Sequence, residues 1–323
     1  MKLVDEELPS PGIGQALIKV LAADVSFSDV NLRRGRYPGG PRLPFTPGYA
    51  MVGVVEQLGP ETAELAVGDR VAALTFYGSY SQYICLPAQG LVPVPSKVDP
   101  AGAVCLVLNY VAAYQMLHRV AHLGRGERIL VHGAAGGVGT AFLELGRLAG
   151  LQVYGTASKA KHSLVAELGA IPIDYKTEDF VRRILDLNNQ VGVDAAFDPI
   201  GSAHLKQTEK AVRSGGTVVA FGFYETANSG ANIAIDVLSQ YLRLALWSLP
   251  PRRKHVAFYD IRPQRKKHPD WFRADLAALI GLLAAASIRP VIAARLPLDD
   301  VVRAHELVEH AEVQGKLVLI PNP

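Results

Sequence analysis

The stretch Arg128-Ile129-Leu130-Val131-His132-Gly133-Ala134-Ala135-Gly136-Gly137-Val138-Gly139 constrains this chain more than any other. Residues 129–131 are a short apolar run of the kind that becomes a buried parallel strand. A turn of small residues follows at 133–137. A helix then opens with Val138, Ala141, Phe142, Leu145 and Leu148 on one face. Strand, glycine turn and helix in that order suit a dinucleotide pyrophosphate. Gly136 lets the backbone approach the phosphates, Gly139 lets the helix pack closely on the strand, and the helix N-terminus presents N–H groups to the negative charge. Ala134 stands where the G-x-G-x-x-G pattern has its first glycine, so the pattern alone is a weak signal. The flanking strand and helix are what favour a cofactor site over a ligand-free turn.

The next strand, residues 152–156, indicates which cofactor. An NAD site places Asp or Glu at this strand's end to hold the ribose 2′-hydroxyl. Here the strand runs into Thr156-Ala157-Ser158-Lys159-Ala160-Lys161, which has hydroxyls and lysines but no acid. Ser158 and Lys161 can bind a 2′-phosphate through charge-assisted hydrogen bonds. Ser158 equally suits an ordinary helix N-cap, so the missing acid is the stronger half of the argument for NADPH.

A chain of 323 residues exceeds the usual single-domain size and predicts two domains. With 49% hydrophobic and 20% charged residues it has the composition of a globular protein. A net charge of +3 gives no reason to expect a nucleic acid or an acidic membrane surface as partner. Cys85 and Cys105 both lie in apolar surroundings, which fits free thiols in a reducing cytoplasm better than a disulfide. The first seven residues lack the apolar core of a signal peptide. The greasiest stretch, 276–286, is too short to span a bilayer, so no transmembrane segment is expected.

Residues 1–107, rich in Gly and Pro with short apolar runs at 16–21, 51–56, 70–73 and 80–86, have the texture of a turn-rich β-domain. From residue 108 strands and helices alternate. Strands are predicted at 129–133, 152–156, 171–173, 194–198, 217–222 and 255–260, with helices at 138–149, 159–168, 177–187 and 203–213. Repeated βα units argue for a doubly wound parallel sheet over 108–262. Residues 263–323 add a basic loop at 264–268, a helix at 270–286, a strand near 291–294, a helix at 299–310 and a final strand at 317–320. The basic loop, with no interleaved aromatics, reads as a solvated connection.

These motifs together resemble the medium-chain dehydrogenase/reductase superfamily, over nearly the whole chain, and most closely its zinc-independent quinone oxidoreductase branch. The resemblance rests on Ser26-Phe27-Ser28-Asp29, Thr46-Pro47-Gly48, Val67-Gly68-Asp69-Arg70-Val71, Ala134-Ala135-Gly136-Gly137-Val138-Gly139, Asp198-Pro199-Ile200-Gly201 and Gly315-Lys316-Leu317-Val318-Leu319-Ile320-Pro321. Leu108-Asn109-Tyr110-Val111-Ala112-Ala113-Tyr114, Gly155-Thr156-Ala157-Ser158 and Ile173-Asp174-Tyr175 are similar to the vesicle amine transport protein subgroup. The resemblance implies an α/β protein with a GroES-like β-barrel catalytic domain built from residues 1–107 and 263–323. A Rossmann NADP-binding domain is inserted at 108–262, and the active site lies in the cleft between them. It places Ala135, Gly136, Gly137 and Val138 at the pyrophosphate. Ser158, Lys161 and Tyr175 fall at the 2′-phosphate and adenosine end, and Phe221, Gly222 and Phe223 on the nicotinamide side. The chain is expected to open at what would be the family's second strand, without the usual first strand and Gly-x-Pro segment.

Zinc-dependent members of the family use a Cys, a Gly-His-Glu and a later ligand for catalytic zinc. Here those positions match Ser26 and Gly48-Tyr49-Ala50, and two cysteines cannot build a four-cysteine structural site, so no metal is expected. Histidines, His118 and His122 included, read as ordinary residues. The chain departs from the quinone-reductase pattern at Ser26 (commonly Asn), Ala112 (commonly Thr) and Tyr49-Ala50. The resemblance implies an NADPH-dependent reductase of quinones or α,β-unsaturated carbonyls, with Tyr37, Tyr49 and Asn31 as candidates to hydrogen-bond the substrate carbonyl. The departures leave room for an NADPH-binding sensor or interaction protein with little turnover. An enoyl-thioester reductase reading carrier proteins through Arg252, Arg253 and Lys254 is a third possibility. The expected partners are a small-molecule substrate and, by resemblance and by the unpaired edge a last strand at 255–260 would leave, a second copy in a homodimer.

Overall fold

In the computed structural model the described residues are 1–37, 39–224, 239, 242 and 254–321, with Ser202 described by its backbone alone. They divide into two units, Met1–Val111 with Asp270–Pro323, and Ala112–Pro269, a few residues beyond the expected boundaries. After residues 1–14, which form no helix or strand, come β1 (Gln15–Val25), α1 (Phe27–Arg33), β2 (Ala50–Leu58), β3 (Arg70–Leu74), β4 (Tyr83–Pro87) and β5 (Val92–Pro93). A helical run, α2 (Pro100–Val120), carries the chain onward. The second unit holds β6 (Arg128–His132), α3 (Gly137–Leu148), β7 (Gln152–Ala157), α4 (His162–Glu167), β8 (Ile171–Asp174) and α5 (Phe180–Leu187). It continues through β9 (Val193–Asp198), α6 (Ser202–Ala211), β10 (Val212–Ala220), β11 (His255–Phe258) and α7 (Ile261–Lys267). The chain then returns to the first unit with α8 (Pro269–Ala284), β12 (Ile292–Pro297), α9 (Val301–Glu309) and β13 (Lys316–Ile320).

The first unit is a seven-stranded sheet in the order β12-β13-β1-β2-β3-β5, with β4 also paired to β1. β13 lies antiparallel to β1, Ala23 opposite Leu319, so both ends of the chain build this sheet. Register shifts between Leu17 and Ile18 and between Val20 and Ala22 mark bulges in β1 against β2, which bend and twist a strand. Inward residues Ile18, Val20, Met51, Val55, Val71, Leu317 and Leu319 pack with Val301 and Ala304 of α9. Each such aliphatic side chain removed from water contributes about 1.5–3 kcal/mol.

The second unit is a six-stranded sheet in the order β11-β10-β9-β6-β7-β8, with the described pairs parallel. The chain winds outward from β6 in one direction and then, from β9, in the other, the doubly wound order with its switch point between β6 and β9. Strands covered on both faces must be apolar throughout, which is why β6 and β9 read as near-continuous hydrophobic runs. Leu130, Tyr154, Ile173, Ile184, Ala196, Leu205 and Val218 form the core on one face. On α3, Ala141, Phe142 and Leu145 are buried as the helical period predicts, but Leu148 is exposed.

One expectation is corrected. The basic residues of 264–268 lie largely in α7 rather than in a loop, with Asp260 capping that helix by accepting from the Arg262 N–H. Most of 276–286 falls in α8, a helix as expected, and α2, which is long and apolar enough to cross a bilayer, has 83% of its apolar stretch buried within the protein, as in a core helix. Both cysteines are free, and burial pushes the Cys105 thiol up to about 12.

Candidate functional site

In the second unit the strands end on one edge, and the residues expected at the cofactor stand there. β6 delivers the chain to the turn, where the Gly136 N–H donates to Gly133 O at 2.9 Å and the Ala134 N–H donates to Thr156 O of β7 at 3.0 Å. Gly136 is the N-cap of α3, and no side chain caps the first turn, which begins at Gly137 and Val138. The first-turn N–H groups, which a helix leaves without intrahelical acceptors, and the positive end of a twelve-residue helix are suited to an anion. Gly139 cannot be replaced there. A Cβ on it would sit 2.2 Å from Gly133 O and 2.6 Å from Ala134 O, both backbone atoms with nowhere to go. Ala135 is buried beside the turn.

At the end of β7, Ser158 and Lys161 bracket a single 3-10 turn, with the Lys161 N–H donating to Ser158 O at 2.8 Å. Ser158 occupies the N-cap position, yet its hydroxyl makes no capping bond. Lys161 is half-buried, and burial lowers its ammonium pKa, a shift that a bound phosphate would oppose. Tyr175 follows the last residue of β8 and is exposed. Phe221, Gly222 and Phe223 follow β10. The Phe221 N–H donates to Asp198 O at 2.9 Å and the Tyr224 N–H to Pro199 O at 3.1 Å, so this segment is held against the end of β9. A Cβ on Gly222 would lie 2.5 Å from Pro199 O, which explains the glycine.

One group escaped the sequence reading. His132, Thr156, Asp198, His204 and Thr208 make a polar cluster at the ends of β6, β7 and β9 and on α6, and all but His204 are buried. Asp198 Oδ2 accepts from Thr208 Oγ at 2.6 Å and faces His204 Nδ1 at 2.9 Å, while its Oδ1 accepts from the N–H groups of Ile200 and Gly201. Burial would raise the Asp198 pKa. The hydrogen bond to His204, the neighbouring histidines and Thr208 outweigh it and hold the carboxyl at about 2. Burial pushes His132 down to about 3. The available signal was a histidine and a threonine at the ends of otherwise apolar strands. His118, by contrast, packs against the Tyr114 ring, with centroids 4.5 Å apart.

In the first unit, the Tyr37 and Tyr49 hydroxyls lie 3.0 Å apart, Tyr49 buried and Tyr37 half-buried. Phe76 packs edge-on against Tyr49, with ring centroids 5.3 Å apart. Asn31, on α1, is 2% exposed, and its Oδ1 has no hydrogen-bond partner among the described residues. Ser26 caps α1. Its hydroxyl donates to Asp29 Oδ2 at 2.6 Å, and Asp29 Oδ1 accepts from the Gly48 N–H at 3.0 Å. Burial and the nearby Asp24 charge raise the Asp29 pKa to about 7, against the Ser26 hydrogen bonds and Lys316, which lower it. The Ser26, Gly48 and Tyr49 positions are thus filled by a hydroxyl bound to a carboxylate, a glycine and a paired phenol. This donor set does not fit zinc. Of the basic residues weighed for carrier contact, Arg252 and Arg253 lie outside the described residues, and Lys254 Nζ is engaged by Glu209 at 2.6 Å to its backbone O and 3.0 Å to its carboxylate.

Residues 12–96 match the family described as "Alcohol dehydrogenase GroES-like domain", and residues 168–319 match "Zinc-binding dehydrogenase". The chain is 30% identical to the human synaptic vesicle membrane protein VAT-1 homolog over 98% of its own length and 81% of that protein. It is 28% identical to the quinone oxidoreductase of Pongo abelii over 98% of this chain and 92% of the relative. The crystal structure of Escherichia coli quinone oxidoreductase complexed with NADPH superposes with a TM-score of 0.86 at 25% identity, covering 98% of this chain and 95% of that one.

Proposed function

This chain belongs to the medium-chain dehydrogenase/reductase superfamily, and from that premise we propose that it is an NADPH-dependent, zinc-independent reductase of quinones or α,β-unsaturated carbonyls. The observation that carries the reading is the end of β7, where Ser158 and Lys161 stand and no acid does. The NADPH complex of the Escherichia coli relative supports it. Bound NADPH supplies the hydride. Ala135, Gly136, Gly137 and Val138 hold the pyrophosphate at the N-terminus of α3. Ser158 and Lys161 bind the 2′-phosphate, Tyr175 flanks the adenosine, and Phe221, Gly222 and Phe223 border the nicotinamide. The Tyr37–Tyr49 pair, with Asn31, supplies the hydrogen bond to the carbonyl oxygen as negative charge develops on it. With no nucleophile invoked, the protein's work is orientation, exclusion of water and that one donor.

Titration with both dinucleotides tests the reading. NADPH is expected to bind more tightly than NADH, and Lys161→Ala to weaken NADPH roughly tenfold or more, the loss of a charge-assisted hydrogen bond, while leaving NADH nearly unchanged. Equal affinities would overturn it. Metal analysis of the purified protein is expected to show no stoichiometric zinc, and one tightly held equivalent would overturn the zinc-independent reading. A second reading, an NADPH-binding protein with little turnover, is favoured by the Ser26 hydroxyl being bound to Asp29 and by Ala50 and Ala112 lacking side-chain donors. Steady-state assays on a panel of quinones and enones separate the two. NADPH binding without oxidation selects the second.

A further inference from the structure

We propose that Asp198 is a positioning residue of the nucleotide site: through Thr208 its carboxylate fixes the proton of His132 on Nε2, and the resulting one-way hydrogen-bond chain holds together the strand ends that carry the cofactor turns. The inference rests on the reading that the second unit binds NADPH.

The direction of each bond follows from counting protons. Asp198 is 0% exposed and receives two backbone N–H groups on Oδ1, at 2.7 and 3.0 Å from Ile200 and Gly201. An ionised carboxylate only accepts, so the 2.6 Å contact with Thr208 must use the hydroxyl proton of Thr208. That hydroxyl then has only lone pairs for His132 Nε2 at 3.1 Å, which must be the protonated nitrogen. A neutral buried imidazole has one N–H, so His132 Nδ1 accepts, and Thr156 Oγ, at 3.0 Å, donates to it. His204 Nδ1 donates to Asp198 Oδ2 at 2.9 Å. Every proton therefore points from Thr156 through His132 and Thr208 toward Asp198, and reversing one requires reversing all.

The chain reaches three of the four segments that the cofactor reading uses, all but that of Tyr175. His132 immediately precedes the glycine turn, and Thr156, two residues before Ser158, accepts the Ala134 N–H on its backbone oxygen. Asp198 shapes the turn through Gly201, and its backbone oxygen accepts the Phe221 N–H. Phe180 packs edge-on to His132 and stacked on His204, walling the cluster with an apolar ring. His132, Asp198 and His204 also have the composition of a metal site, with ligand atoms all within 4.8 Å of one another. The proton count argues against one, because His132 Nε2 carries hydrogen and the carboxylate already has four donors.

Two variants at one position separate positioning from packing. Thr208→Val keeps the shape and removes the hydroxyl, whereas Thr208→Ser keeps the hydroxyl and removes the methyl. Nitrogen NMR of the cofactor-free protein at neutral pH is expected to show His132 as the Nε2–H tautomer in the wild type and in Thr208→Ser, and a mixture in Thr208→Val. The Kd for NADPH and for NADH rises about tenfold in Thr208→Val, equally for both because the turns serve both, and stays near the wild-type value in Thr208→Ser. An Nδ1–H tautomer in the wild type, Val binding as tightly as the wild type, or one equivalent of Zn²⁺ displacing the Nε2 proton would each overturn the proposal. A wild type that bound neither dinucleotide would instead remove the cofactor reading and the positioning role with it, leaving the tautomer as a separate result.

Discussion

A phenol carries a single proton, so the 3.0 Å contact between Tyr37 and Tyr49 commits one of the pair's two protons to the contact itself. The two tyrosines are therefore unequal, and replacing them by Phe one at a time reads which is which. The variant that removes the substrate-facing donor is expected to lower the single-turnover rate roughly a hundredfold, as loss of an oxyanion donor does, and the other to lower it less. If both keep the parental rate, the pair serves packing. Asp29 gives a second prediction at this scale. Its pKa rises from 3.8 to about 7 on folding, so between those values the folded state binds more protons than the unfolded state. Its contribution therefore favours the fold at low pH and is lost as pH rises, by up to about 1.4 kcal/mol per pH unit. Asp29→Asn, which cannot titrate, should flatten the dependence of the urea midpoint on pH between 4 and 7. An unchanged slope would assign the dependence elsewhere.

At the scale of elements, the nucleotide turn sets helix propensity against close packing. In an open helix, Gly139→Ala would stabilise by about 0.5–1 kcal/mol. Here the added methyl meets two backbone carbonyl oxygens, at 2.2 and 2.6 Å, and neither α3 nor the turn can move without parting from the other. The expected outcome is a loss of about 1–3 kcal/mol in urea denaturation, together with loss of dinucleotide binding. A stabilised variant would mean that the turn yields. The same element was the most legible part of the sequence, because a buried parallel strand, a glycine turn and an amphipathic helix each leave a local pattern. β6 to β10 were legible for the same reason. Local patterns do not report contacts between distant segments. The Asp198 cluster draws on four elements, with Thr156 and Thr208 far apart in sequence, and only polar residues closing apolar runs hinted at it. A basic stretch without interleaved aromatics, such as 264–268, carries no local helix pattern, whereas Asp260 caps a helix there and Pro263 sits in its first turn, where a missing N–H costs nothing.

For the whole molecule, the remaining question is what covers β11. It pairs with β10 along one edge, Thr217 opposite His255 through Ala220 opposite Phe258, and ends the sheet among the described residues. Its Val256, Ala257 and Phe258 side chains are half-buried, so among the described residues it is the apolar edge strand of this sheet, a position that proteins commonly cover. A second copy related by a two-fold axis can satisfy both edges at once, since the same strand serves each partner. The chain is accordingly expected to run in light scattering at twice its mass of 34.7 kDa, with dissociation only on dilution. Hydrogen exchange gives an independent check. In an uncovered edge strand alternate amides point away from the sheet and exchange quickly, whereas in a paired one all the amides from His255 to Phe258 are protected. A concentration-independent monomer with alternating fast amides in β11 would rule the dimer out.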